Sequence, residues 1–277
     1  FFADLIAWEK ALAHTDDAHT FEYYLDRVLF RGLYPFLPDI ILRDAEVYEE
    51  HGIQTHLALQ VGTAFVPKLT MLNLPIFAQA CWNSELDSET FIKTTASRIL
   101  PLKPKVFETY FQARADIFKP VMRYEYVEDA WSDYRWIPET PLPYGKEMAT
   151  IYHDASVALE KVANTLKNAS NKSWPARAQA LAITEYKRSH FEATELRNME
   201  LQQIAANQIG DYLQTFSQQS LVDGVDTMRQ AREAFANTVP IAEGADIKKG
   251  DYYYMFNTWI QKELTGKIDR WTPYIEK

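Results

Sequence analysis

The sequence predicts a mostly helical protein in two parts, an α/β segment over residues 1–100 and an all-α segment over residues 101–277. Three observations predict it. Two short runs, HTFEYYLD and IQTHLALQVG, have the residue types and alternation of strands. Each is followed by a helical pattern, which is the βα order of a parallel sheet. Beyond Pro101 and Pro104 the apolar residues recur at helical spacing, as in a bundle.

Residues 2–14 are expected to form a helix, because Phe2, Leu5, Ile6, Trp8, Leu12 and Ala13 recur three and four apart. TDDAH at 15–19 is a turn, and the aromatic FEYYL that follows is strand-like. Alternation places Glu22 and Tyr24 on one face of that strand and Phe21 and Tyr23 on the other. A helix over 39–51 follows, with Pro38 before it, Asp39 in its first turn, and Ile41, Leu42, Ala45 and Tyr48 along one stripe. Gly52 suits a left-handed end to that helix. The second strand, 53–62, alternates Ile53, Thr55, Leu57, Leu59 and Val61 with Gln54, His56, Ala58 and Gln60. A helix over 72–82 carries Pro75 in its first turn.

Two strands neither close a barrel nor fill a doubly wound sheet. The segment is therefore either a small irregular α/β unit or the final part of a barrel whose earlier strands lie outside this chain. In the second part, helices are expected at 105–119, 146–167, 175–209, 211–220, 223–238 and 251–264, with Ser173 capping the third. The stretch SDYRWIPETPLPYG (132–145) is an aromatic, proline-rich loop, in which Tyr134, Arg135, Trp136 and Tyr144 either dock or bind.

Composition narrows the functional classes. With 47% hydrophobic and 24% charged residues the chain can bury a full core. Its formal net charge of −9, without a Lys/Arg run longer than a dipeptide, argues against a nucleic-acid partner. There is no apolar run of about 18 residues, so no membrane-spanning helix is expected. Cys81 is the single cysteine, which rules out an intrachain disulfide and is expected to lie buried between helices. His51 and His56 lack metal-site spacing, and HFEATE (190–195) is not a zinc-binding helix motif. No glycine-rich phosphate loop occurs, so neither metal nor nucleotide cofactor is expected. The opening FFADLIAWEKAL begins without Met inside an amphipathic pattern, as in a piece of a longer protein.

TFEYYLD, FLPDIILRDAEVYEEHGIQTHLALQVG and LNLPIFAQACWNSELDSETF occur in an order and spacing that carry a resemblance. Tyr23–Tyr24 end a strand, an acidic helix runs from Asp44 to Gly52, and Trp82–Asn83 precede Leu86–Asp87. This pattern resembles the C-terminal part of an uncharacterised bacterial domain family related to alpha-glucuronidases and other glycoside hydrolases. Ser84 replaces the proline usual in the tryptophan motif. The resemblance covers residues 1–100 closely and the remainder only in general character. It implies the last strands of a TIM-like barrel and then a helical domain, with carbohydrate as substrate and the N-terminal remainder of the same protein as partner.

In such a barrel, ligands bind at the C-terminal ends of the strands. That selects Glu22, Tyr23, Tyr24 and Asp26 from the first strand and Gln60 from the second. Glycoside hydrolysis generally uses two carboxyl groups, and Glu22 is the candidate for one as acid, base or nucleophile. Its alternatives are substrate binding and a structural ion pair. Tyr23 and Tyr24 can line a wall or reach a sugar hydroxyl, and Gln60 both donates and accepts as hydroxyls require. Trp82 is either a sugar platform or a core plug, and His56 is expected to be a satisfied interior histidine. The alternative to a hydrolase is a non-catalytic helical module that binds glycans or forms a homo-oligomer.

Overall fold

A computed structural model describes residues 19–26, 33–53, 55–61, 72–83, 85–99, 104–122, 145–169, 174–245, 247 and 252–275, together with Ala7, Lys10 and Ala11, which are helical. The remainder of the expected 2–14 helix, the cap at Ser173 and the loop 132–144 lie outside these residues. The elements are β1 (His19–Asp26), α1 (Pro38–Glu50), β2 (Thr55–Val61), α2 (Asn73–Ala80), α3 (Ser88–Ile99), α4 (Pro104–Val121), α5 (Gly145–Ala169), α6 (Ala176–Thr215), α7 (Gln218–Gly244) and α8 (Tyr252–Ile275). The protein is predominantly helical, as expected. Among the described residues its sheet has two strands, where the resemblance implied the end of a barrel.

The chain forms two compact units. One comprises Phe1–Val28 with Phe36–Ala115, the other Leu29–Pro35 with Asp116–Lys277. The division falls inside α4, later than the expected boundary at residue 100.

In the first unit β1 and β2 run parallel, with His19 opposite Thr55 and Asp26 opposite Val61. The register slips between Glu22 and Leu25, so Tyr23 and Tyr24 together face one residue of β2. The slip frees a carbonyl. Tyr24 O accepts from Asn73 Nδ2 at 3.0 Å, while Asn73 Oδ1 accepts the Leu37 N–H at 3.0 Å. Buried Asn73 thereby ties β1, the chain leading into α1, and the start of α2. α1 starts with Pro38, whose missing N–H costs nothing there. It ends in paired closing bonds, Gly52 N to Glu49 O at 3.0 Å and Ile53 N to Tyr48 O at 2.8 Å. That closure needs the φ of +72° at Gly52, the left-handed end expected from the sequence. Asp87 caps α3 by accepting the Thr90 N–H at 2.7 Å. Rings of Phe36, Phe107, Tyr110 and Phe111 then fill the core, with neighbouring centroids 5.4–6.4 Å apart.

The second unit is a bundle in which α5 packs on α6, α6 on α7 and α7 on α8. α6 is longer than expected. Gly210 does not break it, and it continues to Thr215, where Phe216 turns the chain with φ 55°. Ser217 then caps α7 by accepting the Ser220 N–H at 3.3 Å. Residues 211–220, expected as one short helix, thus divide between the end of α6 and the start of α7. Gly224 lets α7 approach closely, since a Cβ there would lie 2.8 Å from Ile209 Cδ1.

α6 is also unusual in what it buries. Glu185, Arg188, Glu192, Glu195, Asn198 and Gln202 are all inside, three to four residues apart, and Ser189 is buried beside Arg188. Two apolar clusters flank the middle of this seam. Phe191, Ala242 and Tyr253 belong to one, and Ala205, Ile209, Phe235, Ile260 and Leu264 to the other. Between them on the three helices come Glu195 and Asn198, Thr238, and Asn257.

Gly52 supplies a direct test of the α1 closure. A Cβ there meets no atom within 4 Å, so Gly52→Ala introduces backbone strain alone. The expected loss is about 1 kcal/mol, read as faster amide exchange at the end of α1. Gly244→Ala, equally open but without a positive φ, should leave exchange unchanged or slower.

Candidate functional site

The candidate site lies where β1 meets α1. Strand alternation turns Glu22 and Tyr24 toward the helix, while Phe21 and Tyr23 stay exposed on the opposite face. On α1, Asp44 and Tyr48 are four residues apart and so share the face that receives them. The result is two crossed pairs. The Tyr48 phenol donates to Glu22 Oε1, and the Tyr24 phenol donates to Asp44 Oδ2. From β2, His56 stacks on the Tyr48 ring with centroids 5.3 Å apart and shares a hydrogen bond with Thr20 Oγ1 at 3.1 Å.

Burial governs the electrostatics. It raises the Glu22 carboxyl above its ordinary value. The Tyr48 hydrogen bond pulls it back, the Asp44 charge adds to the rise, and the Tyr24 hydrogen bond lowers it. Asp44 is raised by burial too, against the opposing effects of the Tyr24 hydrogen bond and the Arg43 guanidinium. Both phenols are pushed up, first by burial and then by the carboxyl groups beside them, which keeps them as donors. Burial lowers His56, favouring the neutral ring. A half-buried carboxyl that holds its proton beyond the normal range is the protonation state a general acid requires.

The expected site residues separate on this geometry. Glu22 and Tyr24 come together, and the strand also brings in Asp44 and Tyr48, which the sequence had offered only as part of an acidic helix and an apolar stripe. Their four-residue spacing was the signal available. Tyr23 faces the other way and meets Phe21 edge-on, with centroids 5.5 Å apart. Asp26 and Gln60 lie near the strand ends, opposite Val61 and Leu25, and their side chains fall outside the described residues.

Trp82 is 92% exposed, so it plugs no core. Cys81, expected to be buried, is exposed as well. The reason is shared: the buried stripe of α2 is Asn73, Ile76 and Ala80, and the helix ends there, leaving positions 81 and 82 on the turn beyond it. His56 is the satisfied histidine that the sequence suggested. Among the described residues no group of three His, Cys, Asp or Glu side chains is placed to hold a metal, and no helix is long and apolar enough to cross a membrane.

The crossed pairs make a signed prediction. Removing the Tyr48 hydroxyl removes a hydrogen bond to ionised Glu22, so Tyr48→Phe should raise the Glu22 titration midpoint. Asp44→Asn removes a repelling charge and should lower it. Carboxyl-carbon NMR titration of glutamate-labelled protein reads both. Because Glu22 is raised in the fold, the stability it contributes is present at low pH and is lost as pH climbs from its ordinary value through its folded value.

Comparison of the chain with protein-family models, curated proteins and solved structures finds no match.

Proposed function

We propose that this chain is the C-terminal section of a glycoside hydrolase, in which β1, α1, β2 and α2 form the last βα units of a TIM-like barrel and Glu22 serves as the acid. The observation that carries this reading is the Glu22 carboxyl, raised by burial and held in one orientation by the Tyr48 phenol. A glycosidase acid must arrive protonated near neutral pH and deliver its proton to the departing oxygen. Asp44 helps by opposing a second negative charge beside it. The parallel strands joined through α1 fit the barrel arrangement, and the resemblance of residues 1–100 to proteins related to alpha-glucuronidases supplies the substrate class. In this reading the second catalytic carboxylate comes wholly or partly from the N-terminal remainder.

A non-catalytic role in glycan binding has its own support. Glu22 faces α1, whereas Phe21, Tyr23 and Trp82 present rings to solvent, and exposed aromatic faces stack on sugars. One experiment separates the two. Full-length protein is assayed on a panel of aryl glycosides alongside Glu22→Gln. The hydrolase reading predicts a fall in turnover of about 10²–10⁴-fold in the variant, with glycan affinity retained. Unchanged turnover removes Glu22 as the acid. Glycan binding without hydrolysis by the unmodified protein establishes the second reading.

A further inference from the structure

The helical unit contains a buried acid that the proposed chemistry does not use. Glu195 sits at 2% exposure in the polar layer between the two apolar clusters of the bundle. Three helices meet around it. Tyr253 on α8 donates to Glu195 Oε1 at 3.5 Å. Asn198 of α6 donates to Thr238 Oγ1 of α7 at 2.7 Å. Asn257 of α8 donates to Phe235 O of α7 at 2.8 Å and lies 3.1 Å from the Tyr253 hydroxyl. These are neutral groups.

The charged groups on the packed elements are engaged elsewhere. On α6, Arg188 approaches Glu185 at 3.6 Å and lies over the Tyr34 ring, while Glu192 accepts the Tyr34 N–H at 2.8 Å. On α5, Glu160 bonds His190 at 2.7 Å and His153 bonds Glu200 at 3.1 Å. α7 faces Glu195 with the Thr238 hydroxyl. α8 faces it with Tyr253, whose phenol is backed by Tyr254 at a centroid distance of 5.4 Å. Gln202, two turns along α6 and also 2% exposed, has neither amide atom hydrogen-bonded among the described residues. The layer is short of partners before any charge is placed in it.

We propose that Glu195 is a protonation switch for the bundle: as a neutral acid it seals the polar layer that joins α6, α7 and α8, and as a carboxylate it draws water into that layer and loosens α8. Among the described residues an ionised carboxyl at this depth has only the hydrogen bonds of Tyr253, Thr238 and Asn198 and no cation, so it gains stability by opening the layer to solvent. Burial accordingly pushes the Glu195 carboxyl up to about 8, against the lowering effect of the hydrogen bonds from Tyr253, Thr238 and Asn198. The fold binds the proton more tightly than the unfolded chain. Stability is therefore fully present below the ordinary glutamate value and is lost progressively as pH rises through about 8.

Hydrogen exchange of the full chain at pH 6 and pH 9, corrected for intrinsic rates, tests the switch. Protection of amides in the first half of α8 should fall about a hundredfold between the two, and Glu195→Gln should abolish that fall. A Glu195→Gln variant that loses protection as the wild type does overturns the proposal. The wild-type comparison is decisive even if the variant fails to fold, because α8 protection that is equal at pH 6 and pH 9 also overturns it.

Discussion

The enclosure of α6 is the constraint on which the helical unit depends. A helix buried on most sides is normally apolar all round, yet this one carries Glu185, Arg188, Glu192, Glu195, Asn198 and Gln202 into the interior. Each buried polar group left without a partner costs roughly 1–3 kcal/mol, so its neighbours must arrive at a fixed height along the helix. Thr238 has to stand opposite Asn198, Tyr253 opposite Glu195, and the Tyr34 N–H opposite Glu192. Apolar contacts tolerate sliding by a turn; these do not. The polar layer thus sets the register of α7 and α8, while the two apolar clusters beside it supply the bulk of the burial.

The first unit meets the same demand at smaller scale. A slip of register in β1 leaves the Tyr24 carbonyl for Asn73, and Glu22 and Asp44 are each answered by a phenol from the opposing element. In both units carboxyl groups are buried beside tyrosine hydroxyls, so their pKa values rise through loss of solvation. In the first unit this produces a candidate acid at a strand-helix junction. In the second it produces a titratable seam inside the helical bundle.

Much of the fold was legible where a single physical rule decides the outcome. Alternation separated Glu22 and Tyr24 from Phe21 and Tyr23, though it did not fix which pair is covered; Gly52 marked a left-handed helix end, and helical spacing recovered the bundle. The failures have equally local causes. Gly210 resembled a helix break because glycine is a poor helix former, but packing of its neighbour Ile209 against Gly224 carries α6 through to Phe216. Cys81 and Trp82 were assigned to a helix that stops at Ala80. The partnership of Glu22 with Tyr48 and of Tyr24 with Asp44 joins residues 20 and 26 positions apart, a distance at which spacing rules are silent. Glu195 was hidden for another reason: glutamate on a long helix normally means a solvated face, and only the arrangement of α7 and α8 shows that this one has none.

The common thread is a carboxyl group whose pKa is raised by burial, and Glu195, pushed up to about 8 and so neutral at pH 7, is its clearest instance. The infrared carbonyl stretch of a protonated carboxylic acid, recorded at pH 7 for the intact chain and for Glu195→Gln, tests that claim most directly. A protonated-acid band present in the intact chain and missing from the variant is the predicted result. A spectrum at pH 7 in which every carboxyl group is ionised would contradict it.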